Sequence, residues 1–142
     1  MSWVTDVSAA LTFVWVGLVV GISFLEAPLK FRAPGVTIPL GLGIGRRVFR
    51  VLNRVELVLA VLIAAGTAVV ASDNARPLVF AIAALVVLLV QLIAVRPALN
   101  RRSDAVLAGG SHETRSHAHL YYVGLEVVKL VLLVLLGIAL LA

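Results

Sequence analysis

Gly45–Glu56 reads GRRVFRVLNRVE and runs, with no turn signal, into the apolar stretch Leu57–Ala71, LVLAVLIAAGTAVVA. The reading of this junction decides the fold. A helix advances about 100° per residue, so Arg50, Asn53 and Glu56 fall on one face of a single helix. That face continues into a run apolar enough for a membrane span. An ionisable residue there is a functional-site hypothesis by default. The junction predicts a helical membrane protein with a polar site near one surface.

Composition agrees. Of 142 residues, 62% are hydrophobic and 13% charged, against about 25% charged in soluble domains. The mean hydropathy is +1.13. We read residues 1–142 as one transmembrane domain, an all-α, integral membrane four-helix bundle with spans near 7–28, 45–71, 77–96 and 117–141. The absence of cysteine excludes disulfides, thiolate metal sites and a cysteine nucleophile. The net charge of +5 does not point to nucleic acid, because the basic residues flank apolar runs, as topology determinants do. The start, MSWVTD, lacks a basic n-region, so the first apolar run is expected to be retained. No lipidation signal is seen.

Punctuation between the runs supports this division. Span one carries Trp3 and Trp15 as interfacial or packing residues, and a Gly17-x-x-x-Gly21 pair that would permit close helix approach. APGVTIPLGLGIG, residues 33–45, reads as a surface loop between Pro28 and the basic junction. Ser72–Pro77 is a tight polar turn. Residues 98–116 form a polar loop after Arg96-Pro97. Ten lysines and arginines lie in 29–54 and 96–115, namely Lys30, Arg32, Arg46, Arg47, Arg50, Arg54, Arg96, Arg101, Arg102 and Arg115, against Arg76 alone on the other side. The positive-inside rule then places the protein in the cell (inner) membrane as a multi-pass protein with both termini non-cytoplasmic.

The candidate site residues gather toward the basic side: Glu26 at the exit of span one, Arg46, Arg50, Asn53 and Glu56 on helix two, Arg96 after Gln91 on span three, and His119, Tyr122, Glu126 and Lys129 on span four. Glu126 lies nine residues past His117, about 13 Å along the helix axis. Neither it nor Lys129 reaches water easily, so both are expected to face the bundle interior and find partners. Two readings remain open here: these groups pair only with one another and lock the bundle, or they line a binding site. A metal is not expected. His117 and His119 point about 200° apart, and no E-x-x-H motif is present. The histidines, at 112, 117 and 119, are all too close in sequence for two-helix haem ligation. A short parallel repeat is visible: Pro28 and Pro97 close spans one and three, and Glu56 and Glu126 follow at similar depths.

The motifs Ala27-Pro28-Leu29-Lys30-Phe31, Arg46-Arg47-Val48-Phe49-Arg50, Arg96-Pro97-Ala98 and His119-Leu120-Tyr121 resemble a group of bacterial four-span proteins similar to the transmembrane-protein-205-like family, to which no firm activity attaches. Arg50-Val51-Leu52-Asn53-Arg54-Val55-Glu56 is also similar to the Arg-x-x-Asn-x-x-Glu of the eicosanoid and glutathione membrane-enzyme (MAPEG) superfamily. The proline that usually follows the glutamate is missing, and span three ends Arg96-Pro97 rather than with Arg and Tyr. The second resemblance implies a glutathione-dependent transferase or peroxidase, with Arg50, Asn53 and Glu56 as glutathione contacts.

Three function classes follow. The first is a protein of the lipid bilayer whose cytoplasm-facing basic site binds an anionic lipid, amphiphile or small ligand, without a cofactor. The second is the glutathione-dependent enzyme. The third is a structural or accessory subunit. Homo-oligomerisation is compatible with each.

Overall fold

The computed structural model describes residues 2–108 and 117–142. Among the described residues every regular element is helical. Four rods account for them. α1 is Trp3–Lys30, in which Val19–Glu26 is π-helical. α2 is Ile38–Val69. α3 comprises Arg76–Val90, a π-helical Gln91–Val95 and Arg96–Leu107. α4 is His117–Leu141.

Local chemistry sets the ends. Ser2 Oγ accepts from the Thr5 amide and caps α1. The chain turns at Gly35, which takes the left-handed φ of 83° that glycine adopts without steric cost. Thr37 then caps α2 through the Leu40 amide, with Pro39 in the first turn. The predicted loop over 33–45 is therefore corrected. Only its first residues turn, and the glycine-rich remainder is already helix, because a Thr cap and an N-terminal proline outweigh the helix cost of scattered glycines. The predicted polar loop from 98 is likewise helical to Leu107; residues 109–116 lie outside the described residues.

Pro28 and Pro97 do not end their helices. Each stands two residues past a π-helical segment. A proline lacks the amide proton and crowds the carbonyl four residues back. The wider π turn beforehand is one of the recognised accommodations. The short repeat seen in the sequence is thus a repeat of π segment, proline and, in the following rod, a buried glutamate.

The rods pack as a ring in which α1 touches α2 and α4, and α3 touches α2 and α4. Contacting pairs run in opposite order along neighbours: Ser8 meets Gly66, Trp15 meets Glu56 and Lys30 meets Gly45, while Phe13 meets Gly137 and Ser23 meets Glu126. Adjacent rods are therefore antiparallel. Ile63, Ala84, Leu88, Leu133 and Leu136 fill the centre. Close approach occurs at Gly41, Gly45, Gly66 and Gly137, where an added Cβ would fall under 3 Å from Phe31, Lys30, Ser8 and Phe13 respectively. At Gly17 and Gly21 an added Cβ would meet nothing within 4 Å, so that pair does not serve a close approach between the rods of this chain.

The polarity of the bundle is inverted relative to a soluble protein. Val14, Val61, Val79, Ile93 and Val131 are more than half exposed, whereas Glu56, Gln91, Glu126 and Lys129 are at most 1% exposed. An apolar exterior around an interior that also buries ionisable groups suits a hydrocarbon surrounding. Three rods, Trp3–Lys30, Arg76–Arg101 and His119–Leu141, are long and apolar enough to cross a membrane. The fourth expected span, α2, carries Arg46, Arg47, Arg50 and Arg54 in its first 17 residues and is not among them.

Candidate functional site

The site has two connected parts: a buried ionic cluster and a cavity beside it. Lys129 Nζ donates to Glu56 Oε2, lies 2.5 Å from Glu126 Oε1 and donates to Gln91 Oε1 at 3.0 Å. Trp15 Nε1 donates to Glu56 Oε2 at 2.7 Å. Ser23 Oγ donates to Glu126 Oε2 at 2.7 Å. Gln91 Nε2 reaches Glu126 Oε1 and the Tyr122 carbonyl, both at 3.4 Å. Every rod contributes: Trp15 and Ser23 from α1, Glu56 from α2, Gln91 from α3, and Glu126 and Lys129 from α4. The expectation that Glu126 and Lys129 turn inward and find partners holds for both.

The two π-helical segments have a direct consequence here. Ser23 lies within the first and Gln91 opens the second, and both side chains bond Glu126. π turns recur at functional sites because they re-aim side chains. Periodicity counted at the α-helical angle does not see that displacement.

Beside the cluster is a cavity of about 210 Å³. Its polar wall includes Ser23, Lys30, Arg46, Arg96, Tyr122 and Glu126, with His119 at its exposed rim and Phe24, Phe31, Leu42, Phe49 and Val123 among its apolar residues. Lys30 sits 3.7 Å from Glu26. Arg46 pairs with Asp104. The Arg96 guanidinium lies over two rings, 4.5 Å from the Tyr122 centroid and 5.0 Å from that of Phe49, a cation–π arrangement. Phe49 and Tyr122 meet edge to face at 5.9 Å. Arg96 Nε, Arg96 Nη2 and the Tyr122 hydroxyl are buried without a hydrogen-bond partner. An unsatisfied buried donor is costly, and a charged one more so.

The predicted residues divide as follows. Arg46, Arg96, His119, Tyr122 and Glu126 line the cavity. Glu56 and Lys129 form the cluster behind it. Glu26 is absent from the cavity wall and acts through its ion pair with Lys30. Arg50 is exposed and, with Asn53, opens on a shallow outer groove that Arg46 and Arg96 also border. The shared face expected for Arg50, Asn53 and Glu56 is thus divided between that groove and the bundle centre. Sequence reasoning missed Ser23, Phe49 and Asp104 and took Trp15 for an interfacial or packing residue. Trp15 alone carried a signal, as an indole donor deep in an apolar run. Among the described residues no group of three metal-ligating side chains occurs.

No family model matches the chain, and comparisons with characterised proteins and with solved structures return no match.

Proposed function

We propose that the chain is a four-span membrane protein, with both termini non-cytoplasmic, whose cavity takes the headgroup of an anionic amphiphile from the cytoplasmic leaflet. The observation that carries this reading is Arg96, whose Nε and Nη2 are buried with no acceptor opposite them, on a cavity wall that it shares with Tyr122. Arg96 and Tyr122 both line the cavity, and a permanently cationic group with donors to spare matches the oxygens of a carboxylate, sulfonate or phosphate. Lys30 and Arg46 add to the positive wall, although each also has a carboxylate partner. The size supports a headgroup rather than a whole lipid, since about 210 Å³ is below the roughly 300–1,000 Å³ typical of pockets for drug-sized ligands. Phe24, Leu42 and Val123 would meet the first methylenes, and the rest of the tail would lie in the bilayer. The orientation rests on the ten-to-one distribution of lysine and arginine over the two sides.

The test compares hexanesulfonate with methanesulfonate on the solubilised chain and its Arg96→Gln variant. Hexanesulfonate should bind more tightly than methanesulfonate, and Arg96→Gln should weaken it by about ten- to a hundredfold, the scale of losing hydrogen bonds to a charged group. Equal affinity for the two anions would assign the cavity to small free anions. An unchanged affinity in Arg96→Gln would remove the reading. The glutathione-enzyme alternative needs Arg50, Asn53 and Glu56 on one ligand and takes second place, because Glu56 faces Lys129 and Trp15 instead.

A further inference from the structure

The buried cluster holds two carboxylates and one ammonium, all at most 1% exposed. Fully ionised, it carries one excess negative charge in a place where uncompensated charge is expensive. The charged groups around it come from every rod. α1 brings Glu26 and Lys30, α2 brings Arg46 and Glu56, α3 brings Arg96 and Asp104, and α4 brings Glu126 and Lys129, with Tyr122 and His119 at the cavity. Lys30 is matched by Glu26 and Arg46 by Asp104. Among the described cations at the cavity, Arg96 is the one with no carboxylate within ion-pair distance to set against the excess charge of the cluster, and it shares a cavity wall with Glu126. One further observation singles out an atom. Glu56 Oε1 is buried and receives no hydrogen bond, while Oε2 of the same carboxylate receives two.

We propose that the Glu56–Glu126–Lys129 cluster is a proton-binding site coupled to the cavity, taking up one proton when an anion binds at Arg96. The proposal rests on the anion-binding reading above. With the cavity empty, the Arg96 charge compensates the cluster. An anion in the cavity takes over that charge, and the cluster then holds an excess that nothing offsets. A proton arriving through the cavity restores neutrality. Its place is Glu56 Oε1, the oxygen without a donor. The ligand therefore enters with a proton as one neutral pair, and by linkage each favours the other equally. Where the free chain is unprotonated and the complex protonated, anion affinity falls tenfold for each unit of rising pH.

The test is calorimetric titration of hexanesulfonate, which stays ionised throughout, into the solubilised full chain. It is run near pH 8, above the ordinary histidine range, in two buffers of different ionisation enthalpy. The expected result is uptake of about one proton per anion bound, with affinity falling as pH rises. Glu56→Gln imitates the protonated state without touching the cavity wall. It should bind the anion with no proton uptake and no pH dependence over the same range. Binding without proton uptake in the wild-type chain overturns the proton site and leaves the anion reading standing. Uptake that survives Glu56→Gln places the proton elsewhere, at His119 for example, and also overturns it. Absence of binding in either buffer removes the anion reading and the coupled proton with it.

Discussion

Lys129→Met removes the only cation that the cluster holds. The ammonium is wholly buried and is shared by Glu56, by Glu126 at 2.5 Å and by the Gln91 carbonyl at 3.0 Å. Methionine fills similar space, so little of the cost comes from packing. What remains is a pair of buried carboxylates with no cation in direct contact, and the single charge of Arg96 at the cavity cannot offset both. Breaking a buried ion pair by deleting one partner costs about 3–5 kcal/mol, largely through the group left behind. For a chain of 142 residues that corresponds to a fall in Tm of about 10 °C or more. The control is the triple variant Glu56→Gln, Glu126→Gln, Lys129→Met. Its neutral amides keep hydrogen-bonding partners in Trp15, Ser23 and Gln91, and replacing a buried ionic group as a whole is often close to neutral. It should recover most of the lost stability. The assay is thermal unfolding followed by circular dichroism in one detergent. A single variant melting within about 1 °C of the wild-type chain, or a triple variant no better than the single, would refute the account of the cluster as mutually compensating charge.

Other consequences follow from the same geometry. Gly66→Val should cost about 1–3 kcal/mol of unfolding free energy, because its Cβ position lies 2.3 Å from the buried Ser8 Oγ; Gly17→Ala, with nothing within 4 Å, should stay within about 0.5 kcal/mol in the same melts. Trp15→Phe removes the indole donor to Glu56 and should lower stability by about 1–3 kcal/mol, read as a shifted midpoint in detergent unfolding. Single cysteines at Ser72 and Ala105, both exposed in a chain without native cysteine, should react with impermeant maleimide from opposite sides of the membrane; labelling from one side would contradict the four-span topology. Asn53→Leu, at the outer groove, should reduce glutathione affinity at least about tenfold under the enzyme reading and leave hexanesulfonate affinity unaltered under the cavity reading.

Helical character was legible because apolar runs near the spanning length leave little else to build. The inward turn of Glu126 and Lys129 was legible from depth alone. Their partners were not. Glu56 and Lys129 are 73 residues apart, and their meeting depends on how two helices rotate about their own axes. Arg50 and Glu56 share a helical face by their spacing, yet Arg50 is exposed at the outer groove while Glu56 is buried in the cluster. The start of α2 was misread for a different reason. Its glycines read as loop signals, whereas Gly41 and Gly45 let Phe31 and Lys30 lie against the helix. The prolines misled in the opposite direction: both are carried within helices by the π-helical turns before them, and a pattern counted at one fixed angle contains no sign of such turns.

The hydrogen bond from Trp15 to Glu56 gives the molecule an optical handle on its own charge state. Of the two tryptophans, Trp3 is 75% exposed and Trp15 1%, so Trp3→Phe leaves a single indole whose N–H rests on a cluster carboxylate. The emission of that indole responds to the electric field along the bond. Stopped-flow fluorescence of the Trp3→Phe chain in vesicles would therefore follow protonation inside the bilayer in real time, with no dye, and would time the arrival of the proton against that of the anion.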